Sequence, residues 1–188
     1  ILVTGGAGYI GTSLLPRLLE EGYEVTVFDN LMYGGNQLLP FFRNKNFNFV
    51  KGDITIKKDL KEAVVDQDLI IHLAAIVGFP ACKNNPELAM DVNVCGTQNL
   101  IEVTNSSQII LYGSTGSNYG KVSEICTEET PLNPLSLYGT TKTDAEQMLL
   151  ARGNVIAYRF ATAFGVSPRL RLDLLINDFT NKCLRDGY

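Results

Sequence analysis

The chain has 188 residues, of which 45% are hydrophobic, and a formal net charge of −4 at pH 7. That length and composition are typical of a globular protein that buries one core, with room for the start of a second domain. The acidic balance argues against nucleic acid as a partner. The longest apolar run, Leu69 to Phe79, is interrupted by His72 and is too short to span a bilayer, so we expect no membrane partner.

Strand-like and helix-like segments alternate along the chain. The predicted strands are Ile1–Thr4, Glu24–Phe28, Phe47–Lys51, Leu69–Leu73, Gln108–Tyr112 and Val155–Arg159. The predicted helices lie near Ser13–Glu21, Lys57–Val65, Glu87–Thr104, Ser136–Ala151 and Leu172–Arg185. This alternation is typical of βαβ units and predicts an α/β fold with a parallel sheet.

The first strand leads into three glycines spaced three residues apart, Gly5, Gly8 and Gly11. Gly5 permits a tight turn, Gly8 lets the backbone approach a pyrophosphate, and Gly11 lets the following helix pack closely on the sheet. The free N–H groups at the start of that helix would face the phosphates. With a strand on each side of this unit, we favour a dinucleotide site over a plain tight turn.

Asp29 ends the second predicted strand, eighteen residues after Gly11. A carboxylate there accepts hydrogen bonds from both ribose hydroxyls and repels a 2′-phosphate. The following residues, 30–33, supply no arginine that would neutralise such a phosphate. The sequence therefore predicts NAD rather than NADP as the cofactor, against the alternative of a solvated strand end.

Tyr138 and Lys142 are four residues apart on a predicted helix, so both project from one face. An ammonium beside a phenol lowers the pKa of the phenol, which brings it into a useful range for a general base. We therefore predict Tyr138 as a base assisted by Lys142. The alternative is a solvated helix face without chemistry.

A loop rich in glycine and serine is predicted after the fifth strand, over residues 113–120. Parallel sheets bind ligands at the carboxyl ends of their strands. A hydroxyl in this loop can share hydrogen bonds with a substrate hydroxyl and with Tyr138. The alternative is that these residues only make a turn.

The cysteines offer little material for a metal site. Cys82, Cys95, Cys126 and Cys183 are widely spaced and form no CxxC pair, and the chain has a single histidine. We therefore predict neither a metal nor a disulfide framework, and the cytoplasm as the simplest setting.

These motifs together resemble the NAD-dependent sugar-nucleotide epimerase/dehydratase family of extended short-chain dehydrogenases/reductases. Further matching segments are Asp29-Asn30-Leu31, Gly52-Asp53-Ile54, His72-Leu73-Ala74-Ala75, Asn93 to Thr97, Tyr119-Gly120 and Arg159-Phe160. The resemblance implies a Rossmann-type doubly wound parallel sheet over residues 1–165. It also implies that residues 166–188 begin a smaller C-terminal substrate-binding domain, most of which this chain lacks.

The resemblance also implies roles for individual residues. The implied catalytic residues are Thr115, Tyr138 and Lys142. The implied cofactor contacts are Gly5, Gly8, Tyr9, Ile10, Gly11, Asp29, Asn30, Asp53, Ile54, Leu73, Ala74, Ala75, Asn93, Tyr138 and Lys142, with Asp53 on the adenine amino group and Asn93 supporting the cofactor wall. The implied substrate contacts are Ser114, Thr115, Arg169 and Arg171, where either arginine would meet a diphosphate.

Two departures from the family pattern bear on the reaction. Gly116 and Ser117 stand where the dehydratases carry an Asp-Glu pair, so dehydration is disfavoured. Ala161-Thr162-Ala163 replaces a stretch in which epimerases hold the sugar diphosphate with an asparagine. We predict an NAD-dependent enzyme that oxidises C4 of a nucleotide sugar, most simply an epimerase.

Three alternative functions follow from the same resemblance. A 4-dehydrogenase or a ketoreductase remains open, and segment 167–179 is closest to a subgroup that includes sugar-nucleotide 4-dehydrogenases. A non-catalytic NAD-binding regulator ranks below these enzymes because the Thr, Tyr and Lys residues are all present.

The resemblance also implies an assembly. We expect a homodimer formed through the predicted helices 87–104 and 136–151.

Overall fold

A computed structural model describes residues 1–187, which form one six-stranded sheet in the order β3-β2-β1-β4-β5-β6. The strands are β1 (Leu2–Thr4), β2 (Val25–Asp29), β3 (Phe47–Lys51), β4 (Leu69–His72), β5 (Ile109–Thr115) and β6 (Val155–Phe160). All neighbouring strands run parallel. The strand order reverses between β1 and β4, where such sheets bind ligands at the carboxyl ends of the strands. The predicted doubly wound α/β fold is confirmed.

Helices cover the two faces of the sheet. They are α1 (Tyr9–Glu20), α2 (Lys57–Ala63), α3 (Phe79–Asn84), α4 (Pro86–Met90), α5 (Gly96–Val103), α6 (Leu137–Arg152) and α7 (Leu175–Asp186). A 3₁₀ segment, Asn36–Arg43, lies between β2 and β3, and α3 lies in a stretch for which the sequence predicts no helix. No helix within residues 1–187 is both long and apolar enough to cross a membrane.

Side chains alternate between the two faces of the sheet along each strand, and this divides the core into two layers. Leu2 packs in one cluster with residues such as Leu100, and the next residue, Val3, packs in the other with residues such as Leu15. Successive side chains of a strand point to opposite faces, so both faces of β1 are buried. The central strands are apolar for this reason, which is the pattern of a sheet covered on both sides.

Strand β5 is longer than predicted. It runs to Thr115, pairing Ser114 with Arg159 and Thr115 with Phe160 of β6. The predicted loop at 113–115 is therefore strand, and a Cβ on Gly113 would lie 3.0 Å from the Leu73 side chain. The hydroxyl residues of the site consequently stand on a rigid strand end.

The helix predicted as continuous over 87–104 contains a wide turn. Between α4 and α5 the chain forms a π-helical segment, Asp91–Cys95, whose N–H groups reach one residue further back than in an α-helix. Asn93 lies in this segment and is 1% exposed. Its carbonyl accepts a hydrogen bond of 2.7 Å from the Thr97 hydroxyl.

The chain returns to α1 after β6. The Tyr9 hydroxyl donates to the Gly165 carbonyl across 2.7 Å, and the Ser167 hydroxyl donates to the Tyr9 carbonyl across 2.8 Å. The Asn177 amide bonds both the Tyr9 hydroxyl and the Arg171 carbonyl. These contacts hold residues 165–177, hereafter the C-terminal segment, beside the glycine turn.

Candidate active site

One cavity of about 990 Å³ opens at the carboxyl ends of the strands. The glycine turn, the ends of β2, β4 and β5, the start of α6 and the C-terminal segment line it. It contains every residue predicted as a cofactor, substrate or catalytic contact except Asn93. Sequence reasoning thus selected residues that the fold brings to one place, and their individual roles stay predictions.

The glycine turn has no room for side chains. Gly5 has φ +71°, and a Cβ on it would lie 2.6 Å from the Ala74 nitrogen. A Cβ on Gly11 would lie 2.5 Å from the Gly6 carbonyl oxygen. Helix α1 begins at Tyr9, four residues before the predicted start. Its first N–H groups have no intrahelical acceptor, so this cradle fits the pyrophosphate of a dinucleotide.

Asp29 is fixed at the end of β2 by two backbone N–H groups. Its Oδ2 accepts from Ala7 across 3.0 Å, and its Oδ1 accepts from Leu31 across 2.8 Å. Burial raises the pKa of Asp29, while these hydrogen bonds and the charge of Arg169 oppose the rise. The carboxylate is therefore held rigidly at the position from which it would accept hydrogen bonds from the ribose hydroxyls.

Arg169 lies at this same end of the cavity. Its guanidinium carbon is 4.2 Å from the centroid of the Tyr33 ring, and its charge reaches Asp29. Residues 30–33 contain no arginine, as the sequence shows, but the fold brings Arg169 to this end of the cavity from the C-terminal segment. The predicted contact of Arg169 with a substrate diphosphate stays a prediction.

Asp53 and Asn30 form a second polar pair near Asp29. The Asn30 amide donates to Oδ2 of Asp53 across 2.9 Å, and the backbone and hydroxyl of Thr55 donate to its Oδ1. Burial by itself raises the pKa of Asp53, but the hydrogen bonds from Asn30 and Thr55 outweigh it and bring the pKa below its usual value. Asp53 is thus an ionised acceptor at the predicted adenine position.

Asn93 supports the cavity wall from behind. Its Oδ1 accepts from the Ile76 N–H across 2.7 Å, and its Nδ2 donates to the Ile76 carbonyl across 3.1 Å. The same amide donates to the Thr141 hydroxyl across 3.0 Å. Because these bonds use the side chain and it does not line the cavity, the prediction of a direct cofactor contact is corrected to a positioning role.

Tyr138 and Thr115 face the cavity from α6 and β5. Burial raises the pKa of Tyr138, and the Thr115 hydroxyl and the charge of Arg171 oppose the rise. The ammonium of Lys142 lies 4.0 Å from the centroid of the Tyr112 ring. The expected effect of Lys142 on the Tyr138 pKa stays a prediction.

Two buried bases stand behind Tyr138. Lys142 is 2% exposed, and burial lowers its pKa to about 7 although Glu146 opposes the change. His72 bonds the hydroxyls of Thr4 and Thr97 across 2.8 and 3.0 Å. Burial and the charge of Lys142 lower the His72 pKa to about 3, so the imidazole is neutral and belongs to the wall.

The geometry agrees with the sequence comparisons. The profile of the NAD dependent epimerase/dehydratase family matches residues 1–185. The chain belongs to this family. This membership confirms the family that the sequence motifs resemble, and it confirms NAD as the predicted cofactor.

Individual family members show how far the match extends. UDP-glucose 4-epimerase 3 of Oryza sativa is 34% identical over 76% of this chain and 41% of its own length. The dTDP-glucose 4,6-dehydratase of Mycobacterium tuberculosis is 34% identical over 80% of this chain and 48% of its own length. The UDP-glucuronic acid 4-epimerase of Bacillus cereus, in complex with UDP-glucuronic acid and NAD, superposes with a TM-score of 0.88 at 28% identity over 98% of this chain and 63% of that structure. The chain spans about half the length of the curated relatives it matches.

Both epimerases and dehydratases of the family are thus similar to this chain, so residues must distinguish the reactions. In this family member Gly116 and Ser117 begin the 3₁₀ segment Gly116–Tyr119 and line the cavity. Neither has a side chain that ionises near neutrality. The cavity therefore has no acid-base pair after Thr115.

Ser114 lines the cavity, and its hydroxyl already has two hydrogen-bond partners in the protein. The hydroxyl donates to Oε2 of Glu146, which is 1% exposed, and accepts from the Asn118 amide across 3.0 Å. Arg159 completes this cluster by donating two hydrogen bonds to Oε1 of Glu146. The predicted substrate contact of Ser114 stays a prediction. The sequence signal that we missed is Glu146, a carboxylate four residues after Lys142 on the inner face of α6.

Proposed function

We propose that this chain binds NAD in the cavity and oxidises C4 of a nucleoside-diphosphate sugar as the first half of an epimerisation. The observation that carries the proposal is the meeting of Tyr138 and Thr115 in the cavity that the glycine turn and Asp29 share. When bound, NAD supplies the hydride acceptor and, in its oxidised form, a positive charge that favours the phenolate. All other steps fall to residues of the chain.

Tyr138 takes the proton of the C4 hydroxyl as the C4 hydrogen leaves as hydride, and the C4–O bond becomes a carbonyl. Thr115 donates to the sugar oxygen and orients it, supported by its interaction with the Tyr138 phenol. Return of the hydride to the opposite face of C4, with the Tyr138 proton returning to the oxygen, gives the epimer. The lack of acidic groups at Gly116 and Ser117 supports a reaction without loss of water.

Arg171 supports the placement of the sugar end. It pairs with Asp173 across 2.5 Å, and its charge reaches Tyr138. We propose that Arg171, unlike Arg169, faces the substrate diphosphate. The domain boundary at 165/166 stays a prediction, as does the substrate-binding role of the residues that follow it.

The test is a product analysis with the NAD-loaded protein and a set of UDP-, GDP- and dTDP-sugars. We expect a C4 epimer in the mass-spectrometric and NMR product profile, with no net NADH and no external oxidant. One equivalent of NADH that stops turnover would instead identify a dehydrogenase. A 4-keto-6-deoxy sugar would overturn the proposal, because it requires elimination of water.

We extend the proposal to assembly as a homodimer, in the cytoplasm. The four cysteines are all free, which supports a reducing setting. Met90 of α4 and Leu150 of α6 are exposed apolar residues on the helices predicted to pair. Light scattering after chromatography tests the dimer, and Leu150→Glu should shift the mass to that of a monomer.

A further inference from the structure

The C-terminal segment presents an arginine to the ribose end of the cavity by a fixed route. Ser167 is buried and its hydroxyl is within 3.0 Å of the Thr12 hydroxyl on α1. The same Ser167 oxygen accepts the backbone N–H of Arg169 across 3.2 Å. Because Ser167 bonds both α1 and the Arg169 backbone, α1 fixes the position of Arg169.

The guanidinium of Arg169 stacks on an aromatic ring and, within the described residues, has no hydrogen-bond partner. It stacks 4.2 Å over the ring of Tyr33, and within residues 1–187 its side chain makes no hydrogen bond and no ion pair of 4.0 Å or less. Arg171, two residues later, is by contrast paired with Asp173. A stacked guanidinium keeps all its donors for a planar or bidentate acceptor, and phosphate is such an acceptor.

The neighbouring carboxylate does not take those donors. Both oxygens of Asp29 accept backbone N–H groups, from Ala7 and Leu31. Asp29, Tyr33 and Arg169 all line the same cavity. The charge of Arg169 also reaches Asp173, but that carboxylate is already paired with Arg171. The ribose end therefore combines one fixed anion, Asp29, with one cation whose donors are available.

We propose that Arg169, stacked on Tyr33, forms a phosphate subsite beside the adenosine ribose, so that the protein accepts an adenine dinucleotide with a 2′-phosphate and Asp29 alone limits its affinity. The proposal rests on the proposed use of this cavity for a dinucleotide. In it Asp29 repels the 2′-phosphate and Arg169 attracts it. Removing the carboxylate exposes the subsite, and removing both side chains abolishes it.

The test is a double-mutant cycle on cofactor binding, read by calorimetry with NAD and NADP on the purified protein. The variants are Asp29→Asn, Arg169→Met and the two combined, with Arg17→Met as a control at an exposed arginine of α1 that does not line the cavity. We expect Asp29→Asn to tighten NADP binding about tenfold or more, a gain that the double variant loses. Arg169→Met should weaken NADP about tenfold while changing NAD less than about threefold, and Arg17→Met should leave the ratio of the two affinities unchanged.

Two outcomes of the binding cycle would overturn the proposal. Equal weakening of NAD and NADP by Arg169→Met would assign Arg169 to the pyrophosphate that both cofactors share. A gain in Asp29→Asn that survives in the double variant would assign the phosphate to other donors. If the wild-type protein binds neither cofactor, the proposed function fails as well, whereas binding of NAD without turnover would leave this subsite testable and overturn only the proposed reaction.

Discussion

The Ser114 hydroxyl donates to Oε2 of Glu146 across 2.5 Å, which joins the end of β5 to the middle of α6. Thr115 follows Ser114 on that strand, and Lys142 precedes Glu146 by one helical turn. The same carboxylate accepts from Arg159 on β6 across 2.7 and 3.0 Å. One buried anion thus fixes the relative positions of the strand and the helix that hold the candidate catalytic residues.

Glu146→Gln should destabilise the fold by about 3 kcal/mol or more, because it leaves the Arg159 guanidinium largely buried without its counter-charge. Urea unfolding of the two proteins measures this difference. Glu102→Gln is the matched control, since Glu102 pairs with Lys57 on the exposed surface and should change the midpoint little. Equal shifts of the urea midpoint in the two variants would show that the buried ion pair stabilises the fold no more than the exposed one.

Lys142→Met should change how stability depends on pH. The pKa of Lys142 is about 7 in the folded chain and 10.5 as its ordinary value. Between these values the unfolded chain binds a proton that the folded chain has released, so this lysine makes stability rise with pH, by at most about 1.4 kcal/mol per pH unit. Below pH 7 the folded state carries the full cost of the buried ammonium.

Urea unfolding at several pH values from 7 to 10 tests this linkage. The free energy of unfolding of Lys142→Met should exceed that of the wild type most at pH 7, and the gap should narrow as the pH rises. Lys45→Met, at an exposed position, should give a curve parallel to the wild type. A constant gap for Lys142→Met would contradict a lowered Lys142 pKa.

Tyr138→Phe removes the proposed proton acceptor while keeping the ring. Turnover of the nucleotide sugar should fall by about 10² to 10⁴, and the Kd for NAD should change little. Tyr119→Phe is a suitable control, because the Tyr119 hydroxyl bonds Arg159 and Tyr119 does not line the cavity. Retention of most activity in Tyr138→Phe would place the base elsewhere.

Gly11→Ala should abolish NAD binding at concentrations that saturate the wild type. The added methyl group would lie 2.5 Å from the Gly6 carbonyl oxygen and 2.6 Å from its Cα, so the turn must open. Gly22→Ala introduces strain at φ +84° but meets nothing within 4 Å, and it should cost stability without changing the NAD affinity. Normal NAD binding by Gly11→Ala would show that the turn adapts.

Local patterns in the sequence predict most of the fold because they are set by short-range physics. The glycines at Gly5 and Gly11, the apolar strands and the spacing of Tyr138 and Lys142 each depend on neighbours within one or two turns. Strand ends and helix starts were less accurate, since β5 continues to Thr115 only because β6 pairs with it. Pairing of that kind is a tertiary effect.

Contacts between distant parts of the chain could not be predicted in this way. Arg169 reaches the ribose end only because Ser167 and Asn177 bind α1, which lies more than 150 residues earlier. The Ser114 hydroxyl is bound by Glu146, which lies 32 residues later in the chain. In both cases the side chain has the expected chemistry, and a partner far along the sequence decides where it is used.

The π-helical segment Asp91–Cys95 sets the rotational phase of everything on α5. A wide turn contains one residue more than an α-helical turn, and one residue corresponds to about 100° around the helix axis. A single-residue deletion within this segment would restore a regular helical turn and leave the fully buried Leu100 facing the core, because the wide turn holds the extra residue. A deletion between Gly96 and Leu100 has no extra residue to absorb it and would rotate Leu100 by about 100°. Gene variants of this chain should therefore tolerate a one-residue deletion in Asp91–Cys95 better than one in the regular helix that follows.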